Sequence, residues 1–196
     1  MTSEQFKNLL WLLPFAYLAG SVNFSILLFR LTGKGDPRNS YSGNAGTANV
    51  VRQSGYVWGI GILILDVGRA VLIALLAEIL LKNAMSVWVG FFLLLGNGYP
   101  LFHGLKGGKG VATYLGFTVA VAPIFAAASC LAWVLVYAVA RITFMGSFFM
   151  IAVMSLGIMQ HYNWDAVALA GSIFSLSLII YAHHSNITCY LAARKK

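Results

Sequence analysis

Between Leu105 and Thr113 the chain reads Leu-Lys-Gly-Gly-Lys-Gly-Val-Ala-Thr, with Lys106 and Lys109 set among Gly107, Gly108 and Gly110. Glycines let bare backbone N–H groups approach a ligand closely. A run of such groups that opens into a helix N-terminus attracts anions, phosphate above all. The run is not a nucleotide P-loop. His103 stands where that loop needs its first glycine, and Gly110 where it needs Ser or Thr. A second polar cluster, from Asp36 to Arg52, is rich in Ser, Asn and Gly. Ser42, Asn44, Asn49 and Arg52, turning about Gly46, are expected to ring a phosphate, with arginine suited to a bidentate contact. A third, His183-His184-Ser185-Asn186-Ile187, offers in His183 a donor to phosphate or a proton shuttle. Adjacent histidines on a helix point apart and no third ligand is near in sequence, so no metal and no cofactor is expected. Ser147 by itself reads as a helix serine bonded to its own backbone.

These groups must be carried by a membrane protein. Of the 196 residues, 60% are hydrophobic and only 9% charged, with a mean hydropathy of +0.81, whereas a soluble domain carries about 25% charged residues. The net charge of +8 does not indicate nucleic-acid binding, because the basic residues fall in short loops between apolar runs. Cys130 lies inside an apolar run and Cys189 near the basic C-terminus, so no disulfide is expected. The N-terminus is expected to be a first membrane helix and not a cleaved signal, because apolar character resumes at Val22 and continues to Leu31.

A spanning helix needs about 20 apolar residues. Runs at 6–31, 56–81, 85–102, 110–122, 124–140, 143–160 and 166–182 predict an all-α, polytopic helical bundle of about seven spans. The fourth run is short and ends near Pro123, so it reads as a half-length or tilted segment joined to the fifth. Basic residues favour the cytoplasmic side. Placing Arg30, Lys34, Arg38, Arg52, Lys106, Lys109, Arg141, Arg194, Lys195 and Lys196 there leaves Lys7 and Lys82 outside, giving N-out, C-in. All three polar clusters then share one face. Within the second run, Asp66 and Arg69 share a helix face and read as a structural ion pair. Gly55 and Gly59 read as a small-xxx-small packing pair.

The chemistry is narrowed by what is missing. There is no Gly-x-Ser-x-Gly elbow. His161 and Asp165 are one residue too close for the His-x-x-x-x-Asp arrangement of the commonest glycerolipid acyltransferases, and they fall on the outer face. A basic pocket without a covalent nucleophile suits direct transfer between two phosphate-bearing substrates, with proximity and charge neutralisation supplying the rate.

The chain resembles the bacterial acyl-phosphate:glycerol-3-phosphate acyltransferase family (PlsY) from Gly20-Ser21 to Asn186-Ile187. The first-loop pattern is met by Asp36, Arg38, Ser42, Gly43, Asn44, Gly46, Asn49 and Arg52. The second is met by Gly96 and Pro100 with Lys106-Gly-Gly-Lys109-Gly-Val-Ala-Thr113, and the third by His183, Asn186 and Ile187. The resemblance implies one membrane acyltransferase domain over 1–196, acting in phospholipid biosynthesis. It would move a fatty acyl group from acyl-phosphate to the sn-1 hydroxyl of glycerol 3-phosphate, giving 1-acylglycerol 3-phosphate (lysophosphatidic acid). Membrane lipid would be a partner, a monomer would suffice, and the site would face the cytoplasm at the bacterial inner membrane. It also implies Ser42, Arg52, Lys109, Ser147, His183 and Asn186 as catalytic residues. Asn44, Gly46, Asn49, Gly107, Gly108 and Gly110 would line the phosphate sites, and Lys106 would be an anchor at the rim. The chain departs from the family pattern at Tyr41, Ala48, Arg69, Ala70, Asn97 and His184. The departures motivate an alternative, the same chemistry on another small acceptor. A non-catalytic binder or transporter of an anionic metabolite is a further one.

Overall fold

A computed structural model describes residues 2–194, so the expectation placed on Lys195 and Lys196 lies outside the described residues. Every apolar run is helical, and among the described residues there are ten α-helices and no strand. The first run divides into α1 (Ser3–Ser21) and α2 (Phe24–Leu31). The loop that follows holds a 3-10 turn over Pro37–Asn39 and a helix the sequence did not announce, α3 (Thr47–Ser54). Then come α4 (Tyr56–Leu81), α5 (Ser86–Gly98), α6 (Val111–Val121), α7 (Pro123–Ala140), α8 (Thr143–His161) and α9 (Ala166–Ala182). A second unannounced helix, α10 (His184–Ala193), continues from α9 after a 48° bend. Four segments are long and apolar enough to cross a membrane, α1 with α2 being one of them, and five if α9 with α10 counts as one span. Large side chains such as Ile64, Leu72 and Ile79 of α4 and Leu135 and Val139 of α7 are exposed, as expected of surfaces that face lipid.

The short helix is central. At about 1.5 Å per residue the 11 residues of α6 cover only about half of a bilayer core. It is packed among α4, α5, α7 and α8, with Tyr114, Phe117 and Thr118 buried. The Tyr114 hydroxyl shares a 2.8 Å hydrogen bond with Ser155 of α8, so a buried polar group is satisfied. Its N-terminus at Gly110 is therefore sunk within the bundle. Pro123, which has no N–H to lose, opens α7 directly after the break at Ala122.

Close backbone contact sets the spacing of α1 and α5. A Cβ on Gly96 would lie 2.1 Å from the Tyr17 carbonyl oxygen, and one on Gly20 2.2 Å from that of Leu93. Small residues allow such approach where no hydrophobic force acts between helices. Gly96→Ala is expected to cost about 3 kcal/mol of stability, since backbone cannot yield. A thermal midpoint in detergent equal to wild type would contradict this. The packing role expected of Gly55 with Gly59 needs correction. Gly55 is the left-handed junction between α3 and α4 (φ 88°) with open space around it, and Gly59 alone makes the close approach, against Val51.

Candidate active site

The first loop is locked from within and to the second loop. Arg38 pairs with Asp36 at 2.6 Å, and its Nη1 donates to the carbonyls of His103 and Lys106, both at 2.7 Å. Its guanidinium holds the Asp36 carboxyl below the usual carboxylate range, outweighing burial. The sequence places Arg38 in the charge count and in the first-loop pattern but gives it no role at the site. An Asp-x-Arg spacing signals a local pair, but its carbonyl partners lie 65 and 68 residues away.

Asn49 also differs from expectation. It is buried, and its Nδ2 donates to the carbonyls of Pro37 (2.7 Å), Asn44 (2.9 Å) and Ser40 (3.3 Å) while Oδ1 accepts from the Ser42 N–H (3.3 Å). Both ends of the amide are committed to the loop, so Asn49 shapes the loop from within. Gly46 starts α3 and its carbonyl accepts from Asn49 and Val50. Ser42 is exposed on the same loop, and among the described residues no hydrogen bond joins its hydroxyl to the other candidates.

The glycine loop folds back on α5. The Gly107 N–H donates to the Gly98 carbonyl and the Gly108 N–H to the Asn97 carbonyl, each at 3.0 Å. A Cβ at Gly107 would lie 2.0 Å from the Asn97 carbonyl oxygen, so glycine is required for close approach. These two N–H groups are thus spent on α5, so Gly107 and Gly108 form part of the cavity wall by close approach and not by free N–H donors. The available donors belong to the first turn of α6, which follows Gly110 (φ 85°) and has no side-chain cap. Uncapped first-turn N–H groups at the positive end of a helix favour an anion.

Lys109, one residue before that helix start, hydrogen bonds the Asn186 Oδ1 through Nζ. Burial, and then the Arg52 charge, push its pKa down to about 8. Arg52 itself is exposed on α3. His183, past the end of α9, is 3% exposed and pushed down to about 4 by burial, a contact to the Ile179 carbonyl opposing and the Lys109 charge adding. Its Nδ1 stands 2.8 Å from the Ile179 carbonyl oxygen, which can only accept. Nδ1 therefore carries the hydrogen, and Nε2 of the neutral ring holds a lone pair. Of the two roles expected of His183, donor to phosphate or proton shuttle, a ring bonded in this way suits the second. Its ring meets Phe148 edge-on at 5.3 Å. The preceding Ser147 bonds the Thr143 carbonyl at 3.2 Å, as its isolated reading anticipated.

Lys109 thus binds Asn186 directly and lies within electrostatic reach of Arg52 and His183, while Ser147 adjoins through Phe148. Beside them a cavity of ≈ 460 Å³ is lined by Asn44, Lys106, Gly107, Gly108, Lys109 and His184 together with Leu94, Leu178 and Ile179. Cationic and apolar walls in one cavity suit a molecule with an anionic head and a hydrocarbon tail. Among the described residues no cluster of His, Cys, Asp and Glu could hold a metal ion.

The sequence model described as glycerol-3-phosphate acyltransferase matches residues 10–193. The chain belongs to the glycerol-3-phosphate acyltransferase family. Similar members of the family include the glycerol-3-phosphate acyltransferases of Pseudomonas fluorescens Pf-5, 38% identical with 95% of this chain and 98% of the relative covered, and of Jannaschia sp. CCS1, 36% identical with 88% and 84% covered. The fold matches the glycerol 3-phosphate form of PlsY (YgiH), an integral membrane glycerol 3-phosphate acyltransferase, with a TM-score of 0.87 and 35% identity over 95% of this chain and 94% of that one. A lysophosphatidic acid form matches at 0.84 and 34%, covering 95% and 93%. As a member of the glycerol-3-phosphate acyltransferase family, the chain is a multi-pass membrane acyltransferase of phospholipid biosynthesis.

Proposed function

We propose that this chain, as one acyltransferase domain, moves a fatty acyl group from acyl-phosphate to the sn-1 hydroxyl of glycerol 3-phosphate. The product is lysophosphatidic acid, and inorganic phosphate leaves. The observation that carries the reading is Lys109, held by Asn186 at the start of α6 within electrostatic reach of Arg52 and His183, in the wall of a cavity whose lining is both cationic and apolar. The two solved PlsY forms, one with glycerol 3-phosphate and one with a lysophosphatidic acid, support the acceptor and the product class. The orientation is N-out, C-in with about seven membrane segments, of which α6 is half-length, supported by the basic residues of the polar loops. The site then faces the cytoplasm of the bacterial inner membrane, and a monomer suffices.

Lys109 and Arg52 neutralise phosphate charge, and the first-turn N–H groups of α6 add donors. Ser147, His183 and Asn186 place glycerol 3-phosphate, and Ser42 meets the acyl-phosphate. The sn-1 oxygen attacks the acyl carbon, and the bond from that carbon to the phosphate oxygen breaks. The proton of the hydroxyl passes to the departing phosphate, with His183 Nε2 as the acceptor that orients it. No covalent enzyme intermediate is required. Purified protein in detergent, given palmitoyl-phosphate and glycerol 3-phosphate, is expected to release lysophosphatidic acid and phosphate in equal amounts; absence of product overturns the reading. A panel of other small acceptors should turn over less well.

The pH dependence follows from Lys109. It is cationic below its pKa of about 8 and loses its charge above it. kcat/KM should be flat up to about pH 8 and then fall about tenfold per unit, because this parameter reports the free enzyme. A bound phosphate favours the ammonium, so the limb in kcat lies higher. Lys109→Arg should remove the limb at pH 8, since arginine stays charged. A wild-type profile flat to pH 10 would show that the charge is not used.

A further inference from the structure

Arg69 of α4 has a side chain only 8% exposed, and its guanidinium meets far more than Asp66. Nη1 donates to the Val22 carbonyl, with Gly20 at 3.5 Å, at the break between α1 and α2. Nη2 donates to Asp66 (3.2 Å), to the Asn97 Oδ1 (3.4 Å) and to the Thr113 hydroxyl (3.3 Å). The Phe24 ring covers its face at 5.2 Å. A structural ion pair needs Asp66 alone. The other contacts go to three separate elements.

Each of those elements leads directly to a wall of the phosphate cleft. Asn23, the residue after Val22, donates through Nδ2 to the Ala45 carbonyl of the first loop at 3.1 Å. Asn97 accepts the Gly108 N–H on its own carbonyl, and its amide nitrogen faces Gly108. Thr113 stands in the first turn of α6, whose N-terminus has no side-chain cap. Gly108 is pressed between Asn97 and the Ala45 carbonyl, so the two loops touch there. One planar cation with several fixed donors therefore ties together the stem of the first loop, the root of the glycine loop and the start of α6. An ammonium cannot reproduce that fork.

We propose that Arg69 is a positioning residue for the phosphate cleft: it fixes the register of the glycine loop and the first turn of α6 against the first loop, and so sets affinity for the phosphate of the acceptor. Its kinetic consequence rests on the acyltransferase reading above. The geometric claim does not. Loss of the fork leaves the Val22 carbonyl and Asn97 without their charged partner, and the loop opens more often.

The test compares wild type with Arg69→Gln, Arg69→Lys and Thr113→Val in detergent. Amide hydrogen exchange over residues 106–113 should quicken about tenfold or more in Arg69→Gln, while residues 125–158 of α7 and α8 stay as in wild type. The KM for glycerol 3-phosphate should rise about tenfold with kcat within about threefold, as loss of a hydrogen bond to a charged group predicts. Arg69→Lys should recover only part of that KM, and Thr113→Val, which removes one arm, should raise it about threefold. A purely structural role would lower kcat with the folded fraction and leave KM alone, and that result overturns the proposal. So does unchanged exchange over 106–113. If Arg69→Gln does not fold, Thr113→Val decides by the same two readouts. Inactive wild type counts against the acyltransferase reading, and exchange still settles the role of Arg69.

Discussion

Lys109→Ala is expected to lower kcat/KM for glycerol 3-phosphate on the order of 10³-fold, the loss typical of removing a donor aimed at developing charge. The side chain is partly buried, at the start of a helix whose first N–H groups lack a side-chain cap. There a charge acts through less water than it would at the surface. The same position costs the free protein something. Burial and the Arg52 charge both work against the ammonium, which is why its pKa sits at about 8. Removing the charge therefore should not destabilise the fold, and the thermal midpoint of Lys109→Ala should equal or exceed wild type, as at sites where function and stability conflict. Lys106→Ala gives the contrast. Its side chain is exposed, and the contact that matters, its carbonyl held by Arg38, survives the substitution. Activity within about threefold of wild type is expected there, as for most exposed substitutions. More than a tenth of wild-type activity in Lys109→Ala, measured as phosphate release, would remove it from the mechanism.

What the sequence reveals and what it conceals divide along local and non-local lines. The run 56–81 becomes α4 with the same limits, because its stops are local: a left-handed Gly55 before it and a left-handed Lys82 after it. The run 124–140 needs only Pro123 added, since proline suits the first helical position. The polar clusters too are legible, because Lys, Arg, Asn and His are rare in so apolar a chain. The break at Val22–Asn23 is not. It survives inside an apolar segment because a guanidinium 47 residues away takes the Val22 carbonyl and Asn23 caps α2. The roles of Gly107 and Gly108 are hidden for the same reason. Their spacing suggests free N–H groups, while the carbonyls that consume them belong to the end of α5. Asn49 looks like a ligand in the sequence, and only the turn that brings Pro37, Ser40 and Asn44 around it shows otherwise.

His183→Ala is expected to reduce kcat about 10²- to 10³-fold, the range for loss of a positioned proton acceptor, with little change in KM for the acyl donor. The argument lies in the tautomer. Nδ1 faces the Ile179 carbonyl, which cannot donate, so the hydrogen sits on Nδ1. Burial, with the nearby Lys109 charge, pushes the pKa to about 4, so the ring is neutral from pH 5 upward and its Nε2 accepts. A group of such low basicity cannot hold the proton of the sn-1 hydroxyl for long. It orients that hydroxyl and shares the proton as the C–O bond forms, and the departing phosphate takes it in the end. Positive charge on the ring would also repel Lys109, so the neutral state serves both groups. Nitrogen chemical shifts of a histidine-labelled sample should show one neutral ring with Nδ1 protonated from pH 5 to 8, absent in His183→Ala. An imidazolium at pH 6, or hydrogen on Nε2, would rule out the acceptor role and make His183 a phosphate donor. His183→Gln should recover part of the rate, since its side-chain oxygen can accept from the hydroxyl without titrating.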